Sequence, residues 1–392
     1  MNRTYRVDMN AARHRSPSLY LWVFALLLVM GSVAGCSRRW EISLTVDGDD
    51  QPPITAQQVG DWAVTFEQET RDGNLPLERV LYESGVEAID TLLVAGQTYD
   101  WSGICEDAWV RPDGCIDVDG SCIKAGTDIA ITSPPERAQV VGRIVDIAPT
   151  IASALGLPTP EKAVGTPMTA ERAPHVVMIF LDGFGYRRYM EVRGQGLMPY
   201  LDSLDVPQLA LTVYPSVTKV ASAAMVTGAP PVVNGARDRG TRATEVETIF
   251  DVVAHHGKRG VAVEGNALSF NLRNADLILS GDRDGDGHSD DNTFANAMEV
   301  VGEGLPEFLW VHWHGIDDVG HTYGPHTPEE EAKMSEVDGY VGELIGTLPA
   351  DTLVIICADH GMHRVNEGER LGNHGTLMAE DMFFPMWMFS TD

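Results

Sequence analysis

Three short apolar runs from residue 175 onward stop at residues able to ligate a metal. His175 to Leu181 is followed by Asp182, Phe308 to Trp313 by Asp317 and His321, and Leu353 to Cys357 by Asp359 and His360. Gly260 to Val263 and Leu277 to Leu279 are runs of the same kind. Amphipathic stretches separate them, at Lys219 to Met225, Glu245 to His255, Asn292 to Val301 and Glu329 to Leu348. Apolar strands alternating with amphipathic helices predict an α/β fold, a mostly parallel sheet sandwiched by helices. In such sheets ligands gather beyond the carboxyl ends of the strands, so the polar residues that close each run are the first candidates for chemistry.

Residues 36–129 read differently. Trp40, Ile42, Leu44 and Val46 alternate with polar residues up to Asp47-Gly48, the pattern of a half-buried strand ending in a turn. Leu77 to Ser84 predicts a short helix stopped by Gly85, Ile89 to Val94 a strand, and Ile116 to Val118 one arm of a hairpin. This is expected to be a small β-rich domain. No arrangement in it reads as catalytic, so it is read as a spacer or binding module.

Residues 1–35 form a signal peptide. Arg3, Arg6, Arg13 and Arg15 precede the apolar stretch Leu19 to Met30, which is shorter than the ~18 to 20 residues a membrane-spanning helix needs. Val33-Ala34-Gly35-Cys36 resembles the lipobox of bacterial lipoproteins. That resemblance implies acylation of Cys36 and a chain exported and lipid-anchored to a bacterial membrane, facing the periplasm or the exterior. Without the first 35 residues the chain keeps 24 basic against 56 acidic residues, a net of −32. Such an excess excludes general binding of nucleic-acid duplexes, which needs clustered Lys and Arg, so any phosphate must be held locally. Cys105, Cys115 and Cys122 leave room for one disulfide, in keeping with an oxidising compartment. Cys357 lies in an apolar run and reads as a buried core thiol.

Thr218 follows Tyr214-Pro215-Ser216-Val217 and opens a helical stretch. There its hydroxyl meets free N–H groups and the positive end of the helix dipole, which suits a bound phosphate or an alkoxide; Thr is equally favoured there as a plain N-cap. The motifs Leu181-Asp182-Gly183, Pro215 to Thr218 with Met225 to Gly228, Asp317 to His321, Ala358 to Met362 and Asn373-His374-Gly375 resemble, in this order, those of the alkaline phosphatase superfamily, above all its type I phosphodiesterase/nucleotide pyrophosphatase branch. The resemblance implies an alkaline-phosphatase-like fold and two zinc ions, one held by Asp317, His321 and His374, the other by Asp182, Asp359, His360 and the Thr218 oxygen. It implies attack by Thr218 on phosphorus in line, and release of the covalent phospho-enzyme by water, with a small phosphorylated molecule as substrate. Asp318 competes with Asp317; Asp317 is preferred because it stands four residues before His321. Phosphomonoesterase and phosphonate hydrolase are the alternatives within the superfamily, and a non-catalytic calcium-binding surface lipoprotein is the alternative outside it.

Two departures from that pattern stand out. Arg239 falls where the branch usually places an Asn, and an Arg grips phosphoryl oxygens bidentately, favouring a more highly charged group such as a monoester. Lys219, next to the nucleophile, is a second candidate substrate contact. The stretch Val145 to Thr150, Leu155 to Pro158 and Gly165 to Pro167 resembles an element that normally follows the last His motif. Residues 130–168 are therefore expected to complete the catalytic fold by circular permutation, ahead of a metal-dependent catalytic domain at 169–392. Finally, Asp282, Asp284, Asp286 and Asp290 fit the first part of a calcium loop whose twelfth position is Thr293 instead of Glu, which reads either as a structural calcium site or as an acidic turn. His312 and His314 share one face of their strand, either as packed structural residues or as support for Asp317.

Overall fold

The strand His175–Leu181 lies at the centre of an eight-stranded sheet. Across the sheet the order is Gly142–Arg143, Gln208–Leu211, Phe383–Ser390, Thr352–Cys357, His175–Leu181, Phe308–Trp313, Gly260–Glu264 and Asp276–Leu279. All run parallel except Phe383–Ser390, which is antiparallel to both its neighbours. Phe308–Trp313 and Thr352–Cys357 are buried at every position, so both faces of the sheet are covered, and this is why these segments read as unbroken apolar runs. The molecule is a computed structural model that describes residues 40–392, apart from 125, 127, 266, 267, 284, 286 and 367. The expected signal segment at residues 1–35, Cys36, Asp284 and Asp286 lie outside the described residues. Among those described, no helix is long and apolar enough to cross a membrane.

The strands predicted from sequence are present with shifts of one or two residues, but Gln208–Leu211 and Phe383–Ser390 are additions. The first is only four residues long, too short to show a period. The second contains Pro385, paired with Leu209 inside the sheet, and proline argues against an interior strand because it cannot donate to the ladder. Gly142–Arg143 pairs in parallel with Gln208–Leu211, and the helix Ile147–Ala154 shares the main core with the helix Thr218–Thr227.

The β-rich region contains a five-stranded sheet with Glu41–Val46 inside it and a four-stranded sheet running from Leu75–Pro76 to Ser121–Ile123. A disulfide joins Cys115 to Cys122, while Cys105 and Cys357 are buried free thiols. This region does not stand apart as a spacer. Its core residues, among them Leu77, Leu81, Trp101 and Ile131, form one cluster with Leu211, Tyr214, Leu377 and Phe383 of the large α/β body. Apolar side chains on both sides of the seam leave water only if the two parts pack together.

At the seam, Arg79 of the helix Leu77–Glu83 is fully buried. Its guanidinium donates twice to Glu69, at 2.8 and 2.9 Å, and once to Glu83, at 3.0 Å. It also lies 4.1 Å above the Phe66 ring and 4.6 Å above that of Tyr214. Removing one partner of a buried ion pair strands the other in a medium that solvates it poorly. Arg79→Ala should therefore lower the unfolding free energy by about 3 kcal/mol, read from urea denaturation curves.

Candidate metal centre

The residues that close the apolar runs meet at one edge of the large sheet. Asp182 follows the central strand, Asp317 and His321 lie on the helix Gly315–Tyr323 beyond its neighbour, and Asp359 and His360 follow Thr352–Cys357. His374 comes from the loop after the short strand Gly372–Asn373. Gly183 allows the close approach: its φ is +70°, and a Cβ on it would stand 2.9 Å from the Asp317 Cβ. Its N–H donates to Asp359 at 3.2 Å.

Each of the three histidines is oriented by a backbone carbonyl. Nδ1 lies 2.8 Å from the Gly372 oxygen in His321, 2.9 Å from the Gly361 oxygen in His360, and 2.8 Å from the Ser216 oxygen in His374. A carbonyl only accepts, so each Nδ1 carries the proton and each Nε2 presents a lone pair to the site. Those lone pairs converge: the Nε2 atoms of His321 and His374 are 3.2 Å apart, with Asp317 oxygens 3.3 and 3.6 Å from them. His360 Nε2 lies 3.2 Å from Asp359 and 3.7 Å from Asp182. The rings of His360 and His374 stack at 3.7 Å, so Asp317, His360 and His374 also fall within reach of a single ion.

Burial, reinforced by repulsion from the Asp182 carboxylate, raises Asp317 and Asp359 well above the usual carboxylate range. Burial also holds His360 down, to about 4, and His374 well below its ordinary value. Asp317 Oδ1 and Asp359 Oδ2 are buried without a hydrogen-bond partner. Packed acceptors with orphaned oxygens and facing lone pairs fit divalent cations in the centre, and carboxylate with neutral imidazole is a zinc-type donor set.

Thr218 is the first residue of the helix Thr218–Thr227, whose N-cap position is held by Val217. Its hydroxyl does not cap the helix; it lies 3.3 Å from Asp182 Oδ1 and 3.2 Å from His360 Nε2. Asp182 is oriented in turn by His312 and His314, each 3.2 Å from its Oδ2. Both rings reach Glu264 on their other side, at 2.9 and 3.4 Å. Burial works against the charged forms, but these two imidazoles keep Asp182 well below the usual range and Glu264 at about 2. The two histidines thus support Asp182 and not Asp317. Glu264 went unnoticed in the sequence although it closes the run Gly260 to Val263 just as the other candidates close theirs.

A cleft of about 470 Å³ opens beside the centre, lined in part by Arg237, Arg239, Arg370 and His374 from the body and by Glu69, Glu78 and Glu106 from the β-rich region. Arg239 donates to the His374 carbonyl at 2.8 Å, and Arg370 stands 3.5 Å from His321 Nε2. Among the described residues none of the three arginines has a carboxylate within ion-pair distance. Lys219 donates to the Arg239 carbonyl at 2.6 Å and thereby braces that loop. Nothing local in the sequence marks Arg370 or Glu78; both reach the cleft through tertiary folding.

Of the acidic positions in the expected calcium loop, Asp284 and Asp286 lie outside the described residues, and Asp290 is engaged by backbone. That carboxylate is buried at the start of the helix Asp290–Gly304, where it accepts the N–H groups of His314 at 3.2 Å and Gly315 at 3.0 Å. Asp282 accepts from Gly285 and Gly287 at 2.7 and 3.0 Å.

An α/β sheet edge that gathers carboxylates and imidazoles around a hydroxyl at a helix start is the arrangement of the alkaline phosphatase superfamily. Within it, the type I phosphodiesterase / nucleotide pyrophosphatase family model matches residues 176–384, just over half of the chain, and the chain belongs to that family. It is 35% identical over 84 residues to GPI ethanolamine phosphate transferase 3 of Eremothecium gossypii, covering 21% of this chain and 8% of that protein. To the human GPI ethanolamine phosphate transferase 2 catalytic subunit it is 28% identical over 109 residues, 26% of this chain and 10% of that one. The chain thus spans about a tenth of the length of these relatives or less. Among solved structures, phosphonoacetate hydrolase from Sinorhizobium meliloti 1021 aligns over 49% of this chain and 57% of its own, with 24% identity and a TM-score of 0.38. Murine ectonucleotide pyrophosphatase / phosphodiesterase 5 aligns over 54% and 87%, with 13% identity and a TM-score of 0.45.

Because burial and the neighbouring Asp182 carboxylate raise Asp317 and Asp359, protons compete there with a divalent metal such as zinc, whose affinity should rise with pH and weaken on acidification. Calorimetric titration at a series of pH values reads this directly. At a hundredfold excess over its dissociation constant, zinc should stabilise the fold by about 2.7 kcal/mol, seen as a higher melting temperature that Asp317→Asn diminishes.

Proposed function

We propose that this protein is a zinc-dependent hydrolase of phosphoric esters that works through a covalent phospho-threonine at Thr218. The observation that carries the reading is the direction of the Thr218 hydroxyl. It is turned from its own helix toward Asp182 and His360, at the point where the orphaned acceptors converge. In this reading Asp317, His321 and His374 hold one zinc ion, and Asp182, Asp359, His360 and the Thr218 oxygen hold the other. When bound, the metals would supply a lowered pKa for the hydroxyl and neutralisation of phosphoryl charge. Asp182, kept ionised by His312 and His314, accepts the hydroxyl hydrogen and fixes the direction of attack. Arg239 and Arg370 offer planar donors to the phosphoryl oxygens, and Lys219 holds the Arg239 loop in place. As Thr218 bonds to phosphorus the bond to the ester's alcohol breaks and that alcohol departs; water then cleaves the phospho-threonine, freeing phosphate from a monoester or a phosphomonoester from a diester.

The two arginines favour a dianionic monoester over a monoanionic diester, which makes a phosphomonoesterase or phosphonate hydrolase the main variant of this reading. The resemblance to ethanolamine phosphate transferases supports another, in which an alcohol replaces water as acceptor. A chain exported by residues 1–35, anchored through Cys36 and facing the periplasm or exterior completes the proposal; the Cys115–Cys122 disulfide supports an oxidising surrounding.

Purified protein loaded with zinc is expected to cleave chromogenic phosphate esters, and Thr218→Ala should lower kcat by about a thousandfold or more, as loss of a nucleophile does. Unchanged activity in Thr218→Ala would end this reading. Comparing aryl monoester, diester and phosphonate in Arg239→Asn should show kcat/KM falling most for the monoester, by roughly tenfold to a hundredfold, the scale of a lost charge-assisted contact. Product analysis with added ethanolamine separates hydrolysis from transfer.

A further inference from the structure

The nucleophile loop and the loop carrying His374 are joined at two levels. Close to the centre, Ser216 is the link: its carbonyl faces His374 Nδ1 at 2.8 Å, and its hydroxyl donates to the Thr376 carbonyl at 3.0 Å. Farther out the link comes from the β-rich region. Glu78, only 5% exposed, accepts the Leu377 N–H at 2.8 Å and the Trp101 indole N–H at 3.2 Å, while the Tyr214 hydroxyl meets its second oxygen at 3.3 Å. Tyr214 stands four residues before Thr218, and Leu377 three after His374. One side chain therefore spans both segments.

The same short helix grips Tyr214 in two further ways. Arg79 lies over its ring at 4.6 Å, and the Tyr82 ring packs 5.5 Å from it. On the far side of the His374 loop, Asp381 accepts the Thr376 N–H at 3.0 Å and its hydroxyl at 2.8 Å, and is held by His363 at 2.8 Å. The His374 loop is thus fastened to the body by Asp381 and to the β-rich region by Glu78, but the outer part of the nucleophile loop is fastened through Tyr214 to the β-rich region.

We propose that Glu78 is a positioning residue for the reaction assigned to Thr218, holding the nucleophile loop and the His374 loop in register from outside the catalytic body. The inference rests on that functional reading. A buried carboxyl that satisfies one donor from each loop makes their separation a single mechanical quantity. Displacements near 1 Å in a reacting group cost up to about a hundredfold in rate. The β-rich region is in this sense a part of the active site that touches no reacting atom.

The test uses the full exported chain, loaded with zinc, in the variants Glu78→Leu, Glu78→Gln and Tyr214→Phe. Amide hydrogen exchange by mass spectrometry, bound zinc, kcat and KM are measured. Glu78→Leu should speed exchange over residues 214–218 and 374–378 together by about tenfold and leave residues 176–182 protected. It should lower kcat by roughly tenfold to a hundredfold with KM changed little and zinc content intact. Glu78→Gln should rescue both, since its amide oxygen can accept from Leu377 and Trp101 while its NH₂ group donates to Tyr214. Tyr214→Phe should loosen 214–218 alone. The proposal is overturned if Glu78→Leu leaves exchange and kcat as in the parent, or if Glu78→Gln is as impaired as Glu78→Leu. Should Glu78→Leu not fold, Tyr214→Phe decides: faster exchange over 214–218 with reduced kcat supports the clamp, and no change in either overturns it. A parent protein that cleaves no phosphate ester would defeat the assigned reaction, and the paired exchange of the two loops would still decide the clamp.

Discussion

Three imidazole rings are each tied by Nδ1 to a backbone carbonyl, and the rest of the site follows from that constraint. Once Gly372, Gly361 and Ser216 have taken the Nδ1 protons, the three Nε2 lone pairs can only face inward, toward carboxylates that are themselves buried. The result is a concentration of buried acceptors that fits divalent cations. The sheet makes this possible by delivering Asp182, Asp317 and Asp359 from three adjacent parallel strands to one edge. The rigidity of those fully buried strands is what fixes spacings of 3 to 4 Å between groups that repel one another.

Around this centre the supporting contacts fall into layers with different origins. His312 and Glu264 lie in the sheet, His314 directly follows the strand Phe308–Trp313, and together they fix Asp182. Asp381 and His363 belong to the C-terminal part and fix Thr376. Glu78, Arg79 and Tyr82 come from a region that precedes the family-defining segment and that shares its hydrophobic core. The seam between the two parts therefore cannot be treated as a boundary between a working domain and an attachment.

The sequence made the centre legible because ligands at strand ends follow directly from the geometry of a parallel sheet. An apolar run followed by Asp or His is visible without any tertiary knowledge, and the order of the motifs did the rest. The same rule, applied to Gly260 to Val263, points to Glu264. The alternation that placed His312 and His314 on one face was also visible, but the carboxylates they meet were not, since the sheet brings Glu264 in from the next strand. Phe383–Ser390 was hidden by Pro385, and Arg370, Glu78 and Asp381 by lying in loops or on a short helix with no period. Asp290 shows how one acidic position serves more than one end. Carboxylates spaced like an ion-binding loop are also what a buried helix start uses to satisfy backbone N–H groups, and spacing alone does not separate the two.

The arginines of the cleft have a consequence for traffic into it. The chain carries a formal charge of −29, yet Arg237, Arg239 and Arg370 face the cleft without carboxylate partners among the described residues. An approaching anion is thus repelled at long range and attracted only within the last few ångströms, the opposite of an electrostatic funnel. Dissolved salt screens the distant repulsion over a Debye length of about 8 to 10 Å while leaving the partly buried guanidiniums less affected. Capture of an anionic ester by such a surface should be faster in moderately salty water than in dilute buffer, so the molecule is built to select at contact and not to gather from afar.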